Sequence, residues 1–527
     1  MLSCLRFESA KPAGAAAPER TDIAAFIGFV GRRPGAALPA PIARTLTEAG
    51  WLNGPWGREP GAVEALDNVP VVVESWDTFA ALFAWERRPF GTGTSGHCTT
   101  YLGAAVRSFF AQGGRRAVIV RVGDPYPVTE TPGDRTDQRA ARLQRLVPVY
   151  AEPGVSAVPF DRMDPGTWRG IHHLYGLPEV NHLCLPDLPD LCAAERPLPP
   201  LAFTPVPGPE VFVECSDEDP LPRDDSALRR LWAPRCDTEG FAVWRNGIAA
   251  ALDFLHHFCP DVLLLAGVPR PLETGTTGSA DAEEPELGLL RQMPLGTTAA
   301  VQPEGRDRHA RLQLVWPWLA TRRSRDLPEQ IEPPDGVFAG LLAANALTRG
   351  TFRSVGGRPL TDTFALQPEP STGLGPDSPS ERLAERVCLF VREADGIQLR
   401  SDVTASGEMD WRAGGTCRLM NAVARAARRF GEAHLFETNG PALWTHLKRS
   451  LDGLLLAFWD EGALNGATPA EAFTVRCDRS TMSQNDLDNG RLKAEISLHP
   501  AAAIGTITVV LDLAATGPSA DRIPEVA

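Results

Sequence analysis

Between Thr416 and Phe430 the apolar residues Leu419, Val423, Ala426 and Phe430 recur at helical spacing, with Arg418, Arg425, Arg428 and Arg429 read on the opposite side. The spacing predicts a helix with a dry face and a basic face, ended by Gly431. After the short apolar segment Ala433 to Phe436, Asn439-Gly-Pro441 opens a second helix. Its Leu443, Leu447, Leu451, Leu454 and Phe458 form one stripe, which predicts burial along its length. Three alternating segments follow. Phe473, Val475 and Cys477 alternate with Thr474 and Arg476; Leu492, Ala494, Ile496 and Leu498 with Arg491, Lys493 and Glu495; Ile507, Val509, Leu511 and Leu513 with Thr506, Thr508 and Asp512. Each reads as a half-buried strand, and the set as an α+β module.

Upstream the pattern changes. Asp22 to Val30 is a compact apolar strand broken at Gly31-Arg-Arg-Pro-Gly35, Val71-Val-Val73 is a second, and Ser75 is placed to N-cap a helix running to Phe83. A further helix spans Tyr101 to Phe110, stopped by Gly113-Gly114 before the strand Ala117 to Val122. Between about Pro125 and Pro334 the chain is richer in proline and acidic loops. Trp168–Leu177 followed by Val180–Pro186, and Phe241–Phe258 followed by Val262–Ala266, each read as helix then strand. That alternation predicts a mainly parallel α/β layer. Leu312 to Val315 adds a strand, Pro333-Pro-Asp-Gly leads into another helix, Gln367 to Arg382 is a linker, and Val387 to Val391 reopens the sheet. The fold class is therefore a mixed α/β and α+β multidomain chain.

The 527 residues allow roughly two to four domains. At 43% apolar and 22% charged the composition is that of a globular protein, and no apolar run approaches the ~18 residues that span a bilayer, so direct membrane insertion is not expected. The start, Met1 to Glu8, lacks a basic patch followed by an apolar core, which points to cytoplasmic synthesis and assembly. A formal net charge of −14 disfavours nucleic acid as principal ligand, because that binding rests on neutralising phosphates. Ten cysteines without a tight CxxC pair suit reduced thiols in the core.

The run Phe436-Glu-Thr-Asn-Gly-Pro-Ala-Leu-Trp444, the run Phe458-Trp-Asp-Glu-Gly-Ala-Leu-Asn-Gly466 continuing to Phe473, then Val475-Arg-Cys-Asp478 and Thr481 to Gly490, resemble the C-terminal domain of contractile tail sheath proteins. That family includes the sheaths of phage tails, R-type pyocins and extracellular contractile injection systems. The block Ala24 to Val122 resembles the N-terminal part of the same proteins, and Pro333 to Ala343 the helix that returns a sheath chain to its core. The resemblance implies a sheath core built from N- and C-terminal segments, with an inserted mixed α/β middle region and extended terminal arms. The divisions it suggests are an N-terminal arm (1–20), the N-terminal part of the core (21–124), the middle region (125–344), a return and linker (345–414), the C-terminal domain (415–514) and a tail (515–527).

It also implies a structural subunit, not an enzyme. Such a subunit polymerises helically around an inner tube and contracts, with further copies of itself, the tube protein, and baseplate and terminal cap proteins as partners, in a phage tail-like particle that is released from the cell. Leu5 and Phe7, apolar beyond a Pro- and Ala-rich linker, and Ile507, Val509 and Leu511 on the last strand are the implied subunit contacts. Arg418, Arg425, Arg428, Arg429, Asp460, Glu461 and Glu471 are the implied tube- or neighbour-facing charges, read equally as an ordinary solvated surface. Two departures stand out. The PGVYVEE-like opening and PAEF-like closing of many sheaths are replaced by Phe7-Glu-Ser-Ala-Lys-Pro12 and His499-Pro-Ala-Ala-Ala-Ile504, which leaves a specialised baseplate-proximal subunit as an alternative to the principal one.

Rival chemistry finds little support. Gly91-Thr-Gly-Thr-Ser-Gly96 matches GxGxxG, but the charged Ala84–Phe90 before it is not the strand that a nucleotide cradle needs, so a loop is expected and a nucleotide-using enzyme is the unfavoured alternative. His172, His173, His182 with Cys184, and His256, His257 with Cys259 lack metal-ligand spacing. No GxSxG elbow occurs. No catalytic residue, metal or cofactor is expected.

Overall fold

A computed structural model describes residues 20–56, 63–91, 96–130, 133–195, 231–272, 308–370, 383–434, 438–488, 490–501 and, for the backbone, 507–513. The chain divides into two compact units, passing from the larger to the smaller between Gly414 and Gly415.

Eight strands of the larger unit form one sheet: β1 (Ala24–Gly28), β2 (Val71–Val73), β3 (Ala117–Arg121), β4 (His182–Cys184), β5 (Leu263–Gly267), β6 (Leu312–Trp316), β7 (Cys388–Glu393) and β8 (Gly396–Leu399). Their order across the sheet is β8-β7-β6-β5-β4-β1-β3-β2. β1, β3, β4, β5, β6 and β7 run parallel, while β2 and β8 are antiparallel strands at the two edges. The stretches divided above as 21–124, 125–344 and 345–414 all contribute strands to this sheet.

Parallel strands need crossovers, and helices lie on both faces. One face carries α2 (Asp134–Leu146), a 3-10 segment at Gly170–Gly176 and α3 (Thr238–Phe258), packed on Ile23, Ala25, Ile27, Val118, Val120, Leu183, Leu264, Leu314 and Leu389. The other carries α1 (Tyr101–Ala111) and α4 (Asp335–Thr348), with Phe109 of α1 edge-to-face on Phe26 at 5.4 Å. The strands are buried on both faces, so their sequences read as continuous apolar runs.

Local chemistry sets the ends of these elements. Ser75 caps its helix by accepting from Thr78 N at 3.1 Å, Thr100 caps α1 by accepting from Gly103 N at 3.0 Å, and Asp237 caps α3 by accepting from Gly240 N at 2.8 Å. α2 is less obvious in sequence. It is mostly charged, and it is held by Leu143 and Leu146 in the core and by the largely buried Arg142–Glu130 pair at 2.8 Å.

α1 and α4 touch backbone to backbone. A Cβ on Gly336 would stand 2.5 Å from both Cα and O of Ala105, and one on Gly340 2.6 Å from O of Phe109. Residues 335–345 of α4 are all buried, the helix lying between α1 and strands β4 and β5. Glu332, just before α4, is buried and fixed by the Ser108 hydroxyl of α1, at 2.8 and 2.9 Å from its two oxygens, and by the Thr321 hydroxyl.

The smaller unit holds α5 (Gly414–Ala433), α6 (Pro441–Asp460) and an antiparallel sheet in the order β9-β10-β11, made of Phe473–Arg476, Leu492–Leu498 and Ile507–Leu513. α6 buries Leu443, Leu447, Leu451, Leu454 and Leu455, but Phe458 is only half-buried and Leu456 is exposed, so the helix is amphipathic and not buried along its length as the stripe suggested. Asn439 fixes its start: its side chain accepts from Trp444 Nε1 at 2.7 Å and donates to O of Arg491 at 3.1 Å. His446 of α6 meets Phe430 of α5 at 5.2 Å and His434, just past its end, at 4.9 Å, joining the two helices.

Because the α1–α4 approach leaves no room for a methyl group, Gly336→Ala should destabilise the larger unit by about 1–3 kcal/mol. Gly247→Ala on α3, whose Cβ would meet only Leu188 Cδ1 at 3.6 Å, should be neutral or stabilising by up to about 1 kcal/mol. Chemical denaturation of both variants checks the contrast, and equal behaviour would contradict it.

Candidate functional site

The residues singled out in the sequence fall into three groups. Leu5 and Phe7 lie outside the described residues. Ile507, Val509 and Leu511 lie on β11, whose register sets them opposite Leu498, Ile496 and Ala494 of β10, three buried residues. β11 is thus paired over its whole length within its own chain, and among the described residues no strand lies along its other side. What it offers a partner is that outer main-chain edge.

Asp460, Glu461 and Glu471 are brought together. Asp460 ends α6, Glu461 caps it, and Glu471 lies in the short helix Pro469–Ala472 across the turn; all three are exposed. The turn is stiff: Ala463 N donates to Phe458 O at 2.8 Å, Trp459 Nε1 to Gly466 O at 3.0 Å, Asn465 N to His499 O at 2.8 Å, and Ala467 N to the Glu471 carboxylate at 2.9 Å. Gly462 turns the chain with φ +75°, the left-handed conformation that favours glycine. The hydrogen-bonded turn is thus flanked by three exposed acidic residues, of which Glu471 accepts from Ala467 N.

The arginines of α5 do not form the exposed basic face that was expected. Arg418 and Arg425 are 4% and 1% exposed, Arg428 is half-buried beside Glu432 at 3.8 Å, and Arg429 is exposed. The start of α5 is covered on every side: residues 414–421 are all buried, Arg418 among them, and Arg425 is buried further along.

A second place, in the larger unit, was missed in the sequence. The strand order reverses at β1, which lies between β3 and β4, and in doubly wound sheets ligands bind beyond the carboxyl ends of the strands at such a point. Here those ends are closed by the chain itself. Asp187, after β4, is buried, and its Oδ2 accepts from Phe29 N, after β1, at 2.7 Å. A Cβ on Gly28 would come within 2.2 Å of that oxygen. Beside it Arg88 binds Asp190 at 2.6 Å and donates to O of Tyr126 at 2.9 Å, while Arg135 reaches the other Asp190 oxygen at 3.6 Å. Against the effect of burial, Arg88 and then Arg135 hold Asp190 below the ordinary carboxylate value. Arg88 and Asp190 are 102 residues apart, which hides the pair from any local motif.

The GxGxxG match does not build a phosphate cradle. Residues 92–95 lie outside the described residues, and the flanking Arg88–Pro89 and His97–Cys98 pair antiparallel, not as strand, loop and helix. Of the tempting histidines, His172, His173 and His182 are buried, and His172 lies 4.6 Å from Phe160 and 5.4 Å from Phe254 in an aromatic cluster. Burial, then Arg169, lowers its pKa to about 4. The described cysteines are free and buried, no group of three or more His, Cys, Asp or Glu among the described residues could hold a metal ion, and no helix among them is long and apolar enough to cross a membrane.

Three carboxyls of the larger unit are pushed by burial to about 7: Asp187, Glu332 and Asp335. For Asp187, the Phe29 amide and Arg88 oppose the shift without cancelling it. A folded value raised from 3.8 means that the folded state holds the proton more tightly, so the stability it brings is full below pH 3.8 and is lost as pH rises through about 7. Asp187→Asn keeps an acceptor for Phe29 N and removes the titration. The melting temperature of the natural chain relative to this variant should therefore fall from acid to pH 7 and level off above it, and a difference independent of pH would contradict the assignment.

No family model matches the chain, and no curated protein matches it. Solved structures do. A chain of the anti-feeding prophage (AFP) baseplate in the contracted state is 17% identical with a TM-score of 0.52, over 97% of this chain and 96% of that one. The AFP helical sheath in the contracted state gives 16% and 0.47, over 100% and 98%. The sheath tail protein of Desulfitobacterium hafniense gives 10% and 0.43, over 97% and 100%. The AFP baseplate chain and this one share a fold over nearly their whole lengths.

Proposed function

We propose that this chain is a structural subunit of a contractile sheath, polymerising helically around an inner tube and shortening to drive the tube through a target envelope. The observation that carries the reading is the fold shared with the AFP baseplate chain over 97% of this chain. The sequence resemblance to sheaths at Ala24–Val122 and Phe436–Gly490 supports it independently, because it was read from residues and not from coordinates. Partners are further copies of the chain, the tube protein, and baseplate and cap proteins; assembly is cytoplasmic, within a particle that is later released. The match to a baseplate chain, together with the missing PGVYVEE-like opening, supports a second reading in which this is a baseplate-proximal sheath subunit.

The physical logic requires no active site. An added strand on the outer edge of β11 brings main-chain hydrogen bonds from a neighbour, and these survive while rigid units rotate and slide past one another. Relaxation from an extended to a better-packed assembly then replaces nucleotide hydrolysis. The three carboxylates at Asp460, Glu461 and Glu471 serve to register the domain against the tube or a neighbour, since charge steers such contacts more than it tightens them. Arg428 and Arg429 remain the members of the α5 set suited to that task.

Electron microscopy of purified protein should show hollow sleeves or ring stacks; compact monodisperse particles would count against polymerisation. Removal of residues 1–20 should leave the melting temperature unchanged and abolish sleeves, whereas normal sleeves from the truncated chain would refute a role for Leu5 and Phe7 in assembly. The purified chain should also turn over no ATP. Turnover that Gly93→Ala abolishes would restore the enzyme reading.

A further inference from the structure

Arg107 of α1 is seated between two indoles. Its Cζ lies 5.5 Å from the ring centroid of Trp76 and 5.3 Å from that of Trp85, and the two rings meet edge to face at 4.9 Å. All three side chains are half-buried. The arrangement is built by the fold. A Cβ on Gly103, one turn before Arg107, would stand 2.6 Å from Trp85 Cβ, so glycine is what lets the indole lie on the helix. The Trp85 carbonyl accepts from Thr100 N at 2.8 Å, at the cap of α1, and Trp76 opens the helix that Ser75 caps.

What this arrangement leaves over is donors. Guanidinium carries five N–H groups, and Arg107 makes no hydrogen bond or ion pair among the described residues. The nearby charges are otherwise engaged: Arg323 is bound to Asp362 at 3.0 Å, and Glu332 to Ser108 and Thr321, with Asp326 the remaining carboxylate in range. Burial first, and Arg323 second, lower the Arg107 pKa. The cation is thus partly stripped of water and repelled by a neighbour, with aromatic faces in return. A cation–π contact at such a site contributes less than a charge-assisted pair with a carboxylate.

We propose that Trp76, Trp85 and Arg107 form a docking point for an acidic peptide segment of a partner protein, with a Glu or Asp carboxylate on the guanidinium and an adjoining apolar side chain on the indoles. Tryptophan and arginine are the residues that anchor protein interfaces, and here they are held rigid before any partner arrives, which lowers the ordering cost of binding. A carboxylate matches the planar fork of arginine, and lysine lacks that fork. The proposal does not depend on polymerisation.

The test is fluorescence anisotropy of a fluorescein-labelled, amidated Leu-Glu-Leu-Asp-Leu peptide titrated with the full chain, beside its Gln/Asn counterpart. The acidic peptide should bind in the millimolar range or tighter and weaken with salt; the neutral one should bind at least about tenfold less. Arg107→Gln should remove the difference between the two peptides, and Arg107→Lys should recover it only in part, at unchanged melting temperature. Equal binding of both peptides, no binding of either, or acidic binding untouched by Arg107→Gln overturns the proposal.

Discussion

The larger unit depends on how closely two helices can approach. α1 and α4 meet at Gly336 and Gly340 with no side chain between their backbones, and α4 is buried wherever it passes between α1 and the sheet. That contact fixes where α1 stands, and α1 in turn carries Ser108 to Glu332, Phe109 to Phe26, and Arg107 to the two indoles. Interiors are packed densely enough that a displacement at one such crossing is transmitted and not absorbed. The most central helix of the unit is left no slack at this crossing.

The position where a doubly wound sheet usually holds a ligand is also filled by the chain itself. Asp187, Gly28, Arg88 and Asp190 fill the carboxyl ends of β1 and β4 with hydrogen bonds and an ion pair of the chain's own. A buried pair of this kind adds little net stability over an apolar filling, but breaking one partner leaves an uncompensated charge. Such a closure resists rearrangement locally.

Much of this was legible in the residues, and the limits have physical causes. Local signals were reliable where the local chain decides: Ser75 as a cap, the apolar run within Leu263–Gly267, the helix opened by Pro441. The parallel layer followed from helix and strand alternation, and the structure has it in β1 and β3 to β7. α2 was missed because its surface is nearly all charge and its anchorage rests on Leu143, Leu146 and an ion pair. The basic face of α5 was misread because spacing alone does not show that the start of the helix is covered on every side, where Arg418 lies, or that Arg425 is buried too. Nothing in sequence could place Arg88 beside Asp190, since only the assembled sheet brings residues so far apart into contact.

The strand order has one more consequence, for synthesis. After β3 the chain crosses to the far side of β1, and from there β4, β5, β6 and β7 are added outward in the same order in which the ribosome makes them. Each new strand finds the edge that its predecessor has just exposed, so the sheet can grow by apposition while the chain is still tethered, and at each step it exposes a single unfinished border. β8, which turns back antiparallel through Gly396 at φ +121°, is the hem that closes this border once residue 399 has emerged.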